Sequence, residues 1–172
     1  MGWKLGVGDA ERIGKTLSVG HLTTATLLEP GATYRTRGAQ LHADAEIAVV
    51  VDRGYAAALE LVDLSNARDG AEEVVATKIF HRAVAFAEVR RALPADLEGR
   101  LVVNGAVRAA APVAADIAER IRAAAEILAA AGERLESGDR VITGSVVQVP
   151  VGRGDKVTAD FGPLGSVTLE LA

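Results

Sequence analysis

The chain has 172 residues, 49% of them hydrophobic and 24% charged, which is the composition of a globular domain long enough to bury a core. Only 3% is aromatic, so that core must be built from Val, Leu, Ile and Ala, and the absence of cysteine excludes disulfides, thiolate zinc sites and cysteine nucleophiles. A net charge of -4 argues against nucleic acid as a partner, because phosphate binding needs a basic surface.

No apolar stretch is long enough to span a bilayer, and the first twelve residues, MGWKLGVGDAER, lack the apolar core of a signal peptide. The expectation is a cytoplasmic protein with no membrane partner. Gly2-Trp3-Lys4-Leu5-Gly6 opens the chain and sets one lysine among apolar residues and glycines. Residues 45–51, AEIAVVV, are a β-branched run that predicts a buried strand. Residues 55–64, YAAALELVDL, have a helical composition, although Leu59, Leu61 and Val62 also suit a strand. Asn66 to Glu73 reads as a polar loop. Leu101 to Val103, then Asn104-Gly105, then Ala106 to Arg108 predict a hairpin. Residues 114–131 are the clearest helix: Ile117, Ile121, Ala124, Ala125 and Leu128 share one face, and Gly132 is a natural stop. Short strands and glycine-marked turns fill the remainder. The pattern predicts one α+β domain over 1–172, a β-rich roll or barrel-like mixed sheet with one long helix. The uncharged run VITGSVVQV looks like an edge strand that a second subunit would cover.

Asp44 and Glu46 are two apart on a predicted strand, so their carboxylates share a face and repel unless a cation sits between them. A hard divalent ion is the usual answer for an all-oxygen set, with Asp63 available as a third oxygen. The same spacing also suits the solvent face of an edge strand. Lys4 reads as a cation facing a ligand or as a solvated lysine. Thr143-Gly144-Ser145 offers small hydroxyls and amides to a carboxylate, or marks a strand boundary. His81, beside Arg82, has the chemistry of an acid/base near neutral pH, or is structural.

Taken in order, GWKLG, VGHL, LHADAEIAVVV, ALELVDLS, NGAV, GERLESGDRVITGS and the glycine-rich ending resemble the fumarylacetoacetate hydrolase superfamily, in its 2-keto-4-pentenoate hydratase and 4-oxalocrotonate decarboxylase branch. The resemblance implies that Asp44, Glu46 and Asp63 bind Mg²⁺ or Mn²⁺, that Lys4 faces substrate, and that Thr143, Gly144 and Ser145 contact a small 2-keto acid. It implies a homodimer. Three departures stand out. Asp44 takes the place of a glutamate. Ser18-Val19 precede Gly20-His21-Leu22 where the hydratases carry an aspartate. The chain starts almost at the G-[YW]-K motif, so the expectation is a domain without the helical region that normally precedes it. His81 or Arg82 then becomes a replacement acid/base or cation.

The expected activity is a metal-dependent lyase doing enolate chemistry, foremost hydration of 2-hydroxy-2,4-dienoates. A 2-keto acid decarboxylase or tautomerase is the alternative within that chemistry. A non-catalytic partner of a paralogous subunit is the alternative outside it. Replacing Lys4 by Ala is expected to weaken substrate binding and leave stability alone.

Overall fold

The computed structural model describes residues 2–7, 17–37, 40–65 and 78–172. The predicted polar loop at 66–73 lies outside them. Among the described residues, twelve strands and one α-helix follow in order: β1 Gly2–Val7, β2 Leu17–Leu22, β3 Leu27–Leu28, β4 Thr33–Tyr34, β5 Leu41–Val50, β6 Gly54–Asp63, β7 His81–Phe86, β8 Glu98–Val103, β9 Ala106–Pro112, α1 Ile117–Ala130, β10 Arg140–Pro150, β11 Lys156–Asp160 and β12 Ser166–Leu171. They form two mixed sheets, one ordered β2-β1-β10-β5-β6-β7-β3 and the other β4-β12-β11-β8-β9. This is the β-rich roll with one long helix that the sequence predicts.

Several local expectations are met. Asn104 and Gly105 both have positive φ, 53° and 82°, and join β8 to β9 with Val103 opposite Ala106, as a two-residue type I′ hairpin requires. Helix α1 ends at Gly132 (φ 76°), where the Gly132 amide donates to Ala129 and the Glu133 amide to Leu128. That is a Schellman closure.

Two expectations are corrected. Residues 55–64 are not helical but belong to β6. Ala56 to Val62 are all buried, and a strand covered on both faces can carry helix-forming residues because burial outweighs local propensity. The run VITGSVVQV is an edge only in part. Within β10, Val141 and Ile142 pair with both β1 and β5, and residues 143–149 pair with β5 alone among the described residues.

The seven-stranded sheet is strongly curved. β2 and β3 lie at its opposite edges, yet only residues 23–26 join them. Five Cα steps reach at most about 18 Å, whereas seven flat strands would span roughly 29 Å. The sheet must therefore curl until its edges approach. Its outer face packs on the second sheet through Ala43, Ala45, Ile47, Leu59 and Leu61, and on α1 through Trp3, Leu5 and Val141. Its inner face carries Leu22, Ala48, Ala58, Val84, Phe86 and Ile142, together with the charged residues described next. Among the described residues, no helix is long and apolar enough to cross a membrane.

Candidate metal centre

Strand alternation and register put three acids on the inner face. Asp44 and Glu46 are two apart in β5, and Glu60 of β6 lies directly opposite Asp44. Asp44, Glu46 and Glu60 each offer a carboxylate oxygen, all within 4.8 Å of one another. All three are buried, as is Lys4. Lys4 Nζ donates to Glu60 Oε2 at 2.8 Å. His81 Nδ1 meets Glu60 Oε1 at 2.7 Å and its Nε2 meets Thr26 Oγ1 at 2.9 Å. Thr26 stands in the short link between the sheet edges, so closure of the roll and orientation of His81 are one event.

The segments that resemble the family supply the framework. Trp3 Nε1 donates to Asp139 Oδ2 at 3.2 Å, and the Glu136 amide donates to the same oxygen at 3.0 Å. With Trp3 held on the helix side, alternation turns Lys4 to the inner face. Gly144 (φ 100°) sits in an irregular stretch of β10, between breaks in its pairing with β5. The backbone there turns its amide to Glu46 Oε2, at 2.9 Å.

Electrostatics separate the three acids. Burial, then the nearby Glu60 charge, pushes Asp44 from its ordinary 3.8 up to about 7. The same two causes raise Glu46 well above the usual carboxylate range. Burial opposes ionisation of Glu60 too, but Lys4 and His81 outweigh it and hold Glu60 below its ordinary value. With Glu60 ionised, its oxygens only accept, so His81 Nδ1 carries the proton between them. One oxygen, Asp44 Oδ1, is buried with no hydrogen-bond partner among the described residues. A carboxyl oxygen orphaned in this way, in a trio where Asp44 itself and Glu46 are both driven to hold protons, fits a missing positive charge. The donor set is all oxygen, which suits Mg²⁺ or Mn²⁺.

The sequence-predicted residues therefore divide. Asp44, Glu46, Lys4 and His81 converge. Asp63 does not join them: it lies opposite Leu41 at the end of β6, three residues and thus one face away from Glu60. There it accepts from Ser65 and pairs with Arg82 Nη2 at 3.2 Å. These contacts outweigh its burial and hold its carboxyl low. Arg82 points away from the acids with Asp63. Thr143 is buried, and its hydroxyl donates to the Ile47 carbonyl at 3.0 Å. Ser145 is exposed and, with Gly144 and Arg120, borders a cavity of about 130 Å³.

Sequence reasoning missed Glu60, although ALELVDL contains it, and it missed His42. His42 precedes Asp44 by two on the same face, and its Nδ1 is buried without a partner among the described residues. A larger cavity, about 720 Å³, opens on the inner face toward the other end of the strands. Its lining includes Leu22, Val84, Phe86 and Arg140.

No family model matches this chain, and no curated protein does. Solved structures do. One is a 4-oxalocrotonate decarboxylase from Pseudomonas putida, complexed with magnesium and adipate: TM-score 0.87, 20% identity, covering 99% of this chain and 77% of that one. Another is a 5-carboxymethyl-2-hydroxymuconate delta-isomerase from Mycobacterium smegmatis: TM-score 0.76, 18% identity, 99% and 75%. A third is a maleylpyruvate hydrolase from Sphingobium sp., with manganese(II) and pyruvate: TM-score 0.71, 19% identity, 99% and 69%. These neighbours are fumarylacetoacetate hydrolase superfamily members, and the chain has the C-terminal-like fold of that superfamily.

Proposed function

We propose that this protein is a divalent-metal-dependent enzyme of enolate chemistry on a small 2-keto acid, with Asp44, Glu46 and Glu60 as the metal-holding set. The observation that carries the reading is the buried trio itself, with its orphaned Asp44 Oδ1 and two carboxyls that ionise only at a cost. A divalent ion held there withdraws electrons from a chelating keto carboxylate and lowers the cost of charge developing beside the carbonyl. The chain's own residues do the rest. Lys4 and His81 fix Glu60 from two sides, and the Gly144 amide fixes Glu46. That the neighbours bind magnesium with adipate and manganese with pyruvate supports the same ligand class.

Hydration of a 2-hydroxy-2,4-dienoate is the reaction we infer, since His42 Nδ1, without a partner among the described residues, offers a site for a water on this face. Decarboxylation or tautomerisation is the second reading, favoured by β2, which carries no carboxylate at Leu17–Leu22. Product analysis on a panel of 2-keto acids with Mg²⁺ or Mn²⁺ separates them. Hydration gives a 4-hydroxy-2-keto acid, decarboxylation gives CO₂, and tautomerisation leaves the formula unchanged. No turnover in the presence of metal would return the protein to the partner-subunit reading.

We also infer a homo-oligomer. The edge strand β9 is largely exposed, with Val107 59% exposed, and an unpaired apolar edge invites cover. Light scattering at micromolar concentration is expected to give at least twice 17.8 kDa. A single 17.8 kDa species would contradict it.

A further inference from the structure

Strand alternation alone would point Arg82, not His81, at the acids. Val84 stands on the inner face opposite Glu60, and a regular strand would turn residue 82 to that face and residue 81 away. The pairing of β7 with β6 breaks at this point: Leu61 lies opposite Ala83, and the next residue, Val62, lies opposite His81. Arg82 is thus an extra residue in a bulge, and what precedes it changes face. His81 takes the inner position and Arg82 leaves with Asp63. The turn leading in, Lys78-Ile79-Phe80, has left-handed φ values of 56°, 55° and 63°, a conformation that a β-branched residue such as Ile79 adopts only under strain. Bulge and strain both fall where the backbone delivers one imidazole to Glu60.

The far side of that imidazole meets Thr26. The ring lies between Glu60 Oε1, 2.7 Å from Nδ1, and Thr26 Oγ1, 2.9 Å from Nε2. Thr26 is itself held in place. Its amide donates to the Thr23 carbonyl at 3.0 Å, and the next two residues, Leu27 and Leu28, pair with Val84 and Ala85 of β7. A hydroxyl suits this position because it can serve either form of the ring. It donates to Nε2 of a neutral imidazole. From a ring carrying both protons it accepts, and its own proton then goes to the Thr23 carbonyl, 3.0 Å from Oγ1. The ring therefore keeps one orientation whichever form His81 takes.

We propose that Thr26 is a positioning residue for the metal centre, acting through His81 to hold Glu60 in ligand geometry. The proposal rests on the metal-dependent reading above and adds to it the residue that sets the third carboxylate. Without the hydroxyl the ring is free to turn, and Glu60 Oε1 loses a fixed partner. Partners at this remove typically change metal affinity by about tenfold to a hundredfold.

The test is calorimetric titration of Mn²⁺ into the full chain at pH 8, with melting in EDTA followed alongside. Thr26→Val keeps the shape and loses the hydroxyl, and it is expected to bind Mn²⁺ about tenfold more weakly. Thr26→Ser restores the hydroxyl and should bind like the wild type. His81→Gln should lose at least as much as Thr26→Val, and adding Thr26→Val to it should weaken binding no further, because Thr26 acts only through the ring. Wild-type affinity in Thr26→Val, even with a lowered melting temperature, would overturn the proposal while leaving the metal reading in place. Weak binding by Thr26→Ser, or losses that add in the double variant, would also overturn it. No Mn²⁺ binding by the wild type would remove the metal reading and the proposal together.

Discussion

Replacing Lys4 by Ala is expected to destabilise the metal-free protein by about 3–5 kcal/mol, the usual cost of removing one partner of a buried ion pair. Lys4 Nζ is 2.8 Å from Glu60 Oε2, and both side chains are all but excluded from solvent. Without the ammonium, Glu60 loses its paired cation and keeps only its hydrogen bonds with His81 and Glu46. The melting temperature should fall by about 10 °C for a chain of this size. This reverses the expectation from sequence, in which a solvent- or substrate-facing Lys4 would be thermally silent. Lys4→Met, which keeps the aliphatic bulk, should lose nearly as much, because the loss is electrostatic. Differential scanning calorimetry in EDTA decides the matter. A variant that melts with the wild type would show that the pair contributes nothing.

The metal-free protein should also lose stability as pH rises from about 4 toward 8. Asp44 has an ordinary value of 3.8 and a folded value of about 7. Between those values the folded chain holds a proton that the unfolded chain has released, so stability falls as pH climbs through the window. A rise of this size corresponds to on the order of 4 kcal/mol. Glu46 acts in the same direction. Glu60 acts in the opposite one: its contribution is complete above its ordinary 4.5 and is lost as pH falls through its lowered folded value. Near pH 8, Mg²⁺ at a hundred times its dissociation constant should restore ~2.7 kcal/mol. Near pH 5, protons on Asp44 and Glu46 compete with it, and the gain should shrink. Urea unfolding at both pH values, with EDTA or Mg²⁺, measures all four states. Greater stability at pH 8 than at pH 5 in EDTA would contradict the assignment of raised values to Asp44 and Glu46.

What could be read from the sequence follows from how local each signal is. The Asn104-Gly105 turn and the Gly132 helix stop are set by a few neighbouring residues, and both appear where expected. Asp44 and Glu46 were legible because strand alternation alone puts them on one face. Glu60 was not, because ALELVDL reads as helix as readily as strand. In a helix, Glu60 and Asp63, three apart, would share a face; in a strand they oppose. Only the pairing of Asp44 with Glu60 chooses between them, and that is a tertiary fact. The partners of Lys4 and Arg140 lie further off still. Lys4 meets a residue 56 positions away, and Arg140 gains its aromatic neighbour from β7, on the far side of the curled sheet.

The trio of Asp44, Glu46 and Glu60 is the centre of the account, and one paired measurement tests it most directly. Mn²⁺ is titrated calorimetrically into the wild type, Glu60→Gln and Asp63→Asn at pH 8. Loss of one of three anionic ligands should weaken binding by more than about a hundredfold in Glu60→Gln. Asp63→Asn removes only a part-exposed pair with Arg82, worth under about 1 kcal/mol of stability, and should bind like the wild type. No binding by the wild type, or loss of binding in Asp63→Asn with Glu60→Gln unaffected, would contradict it.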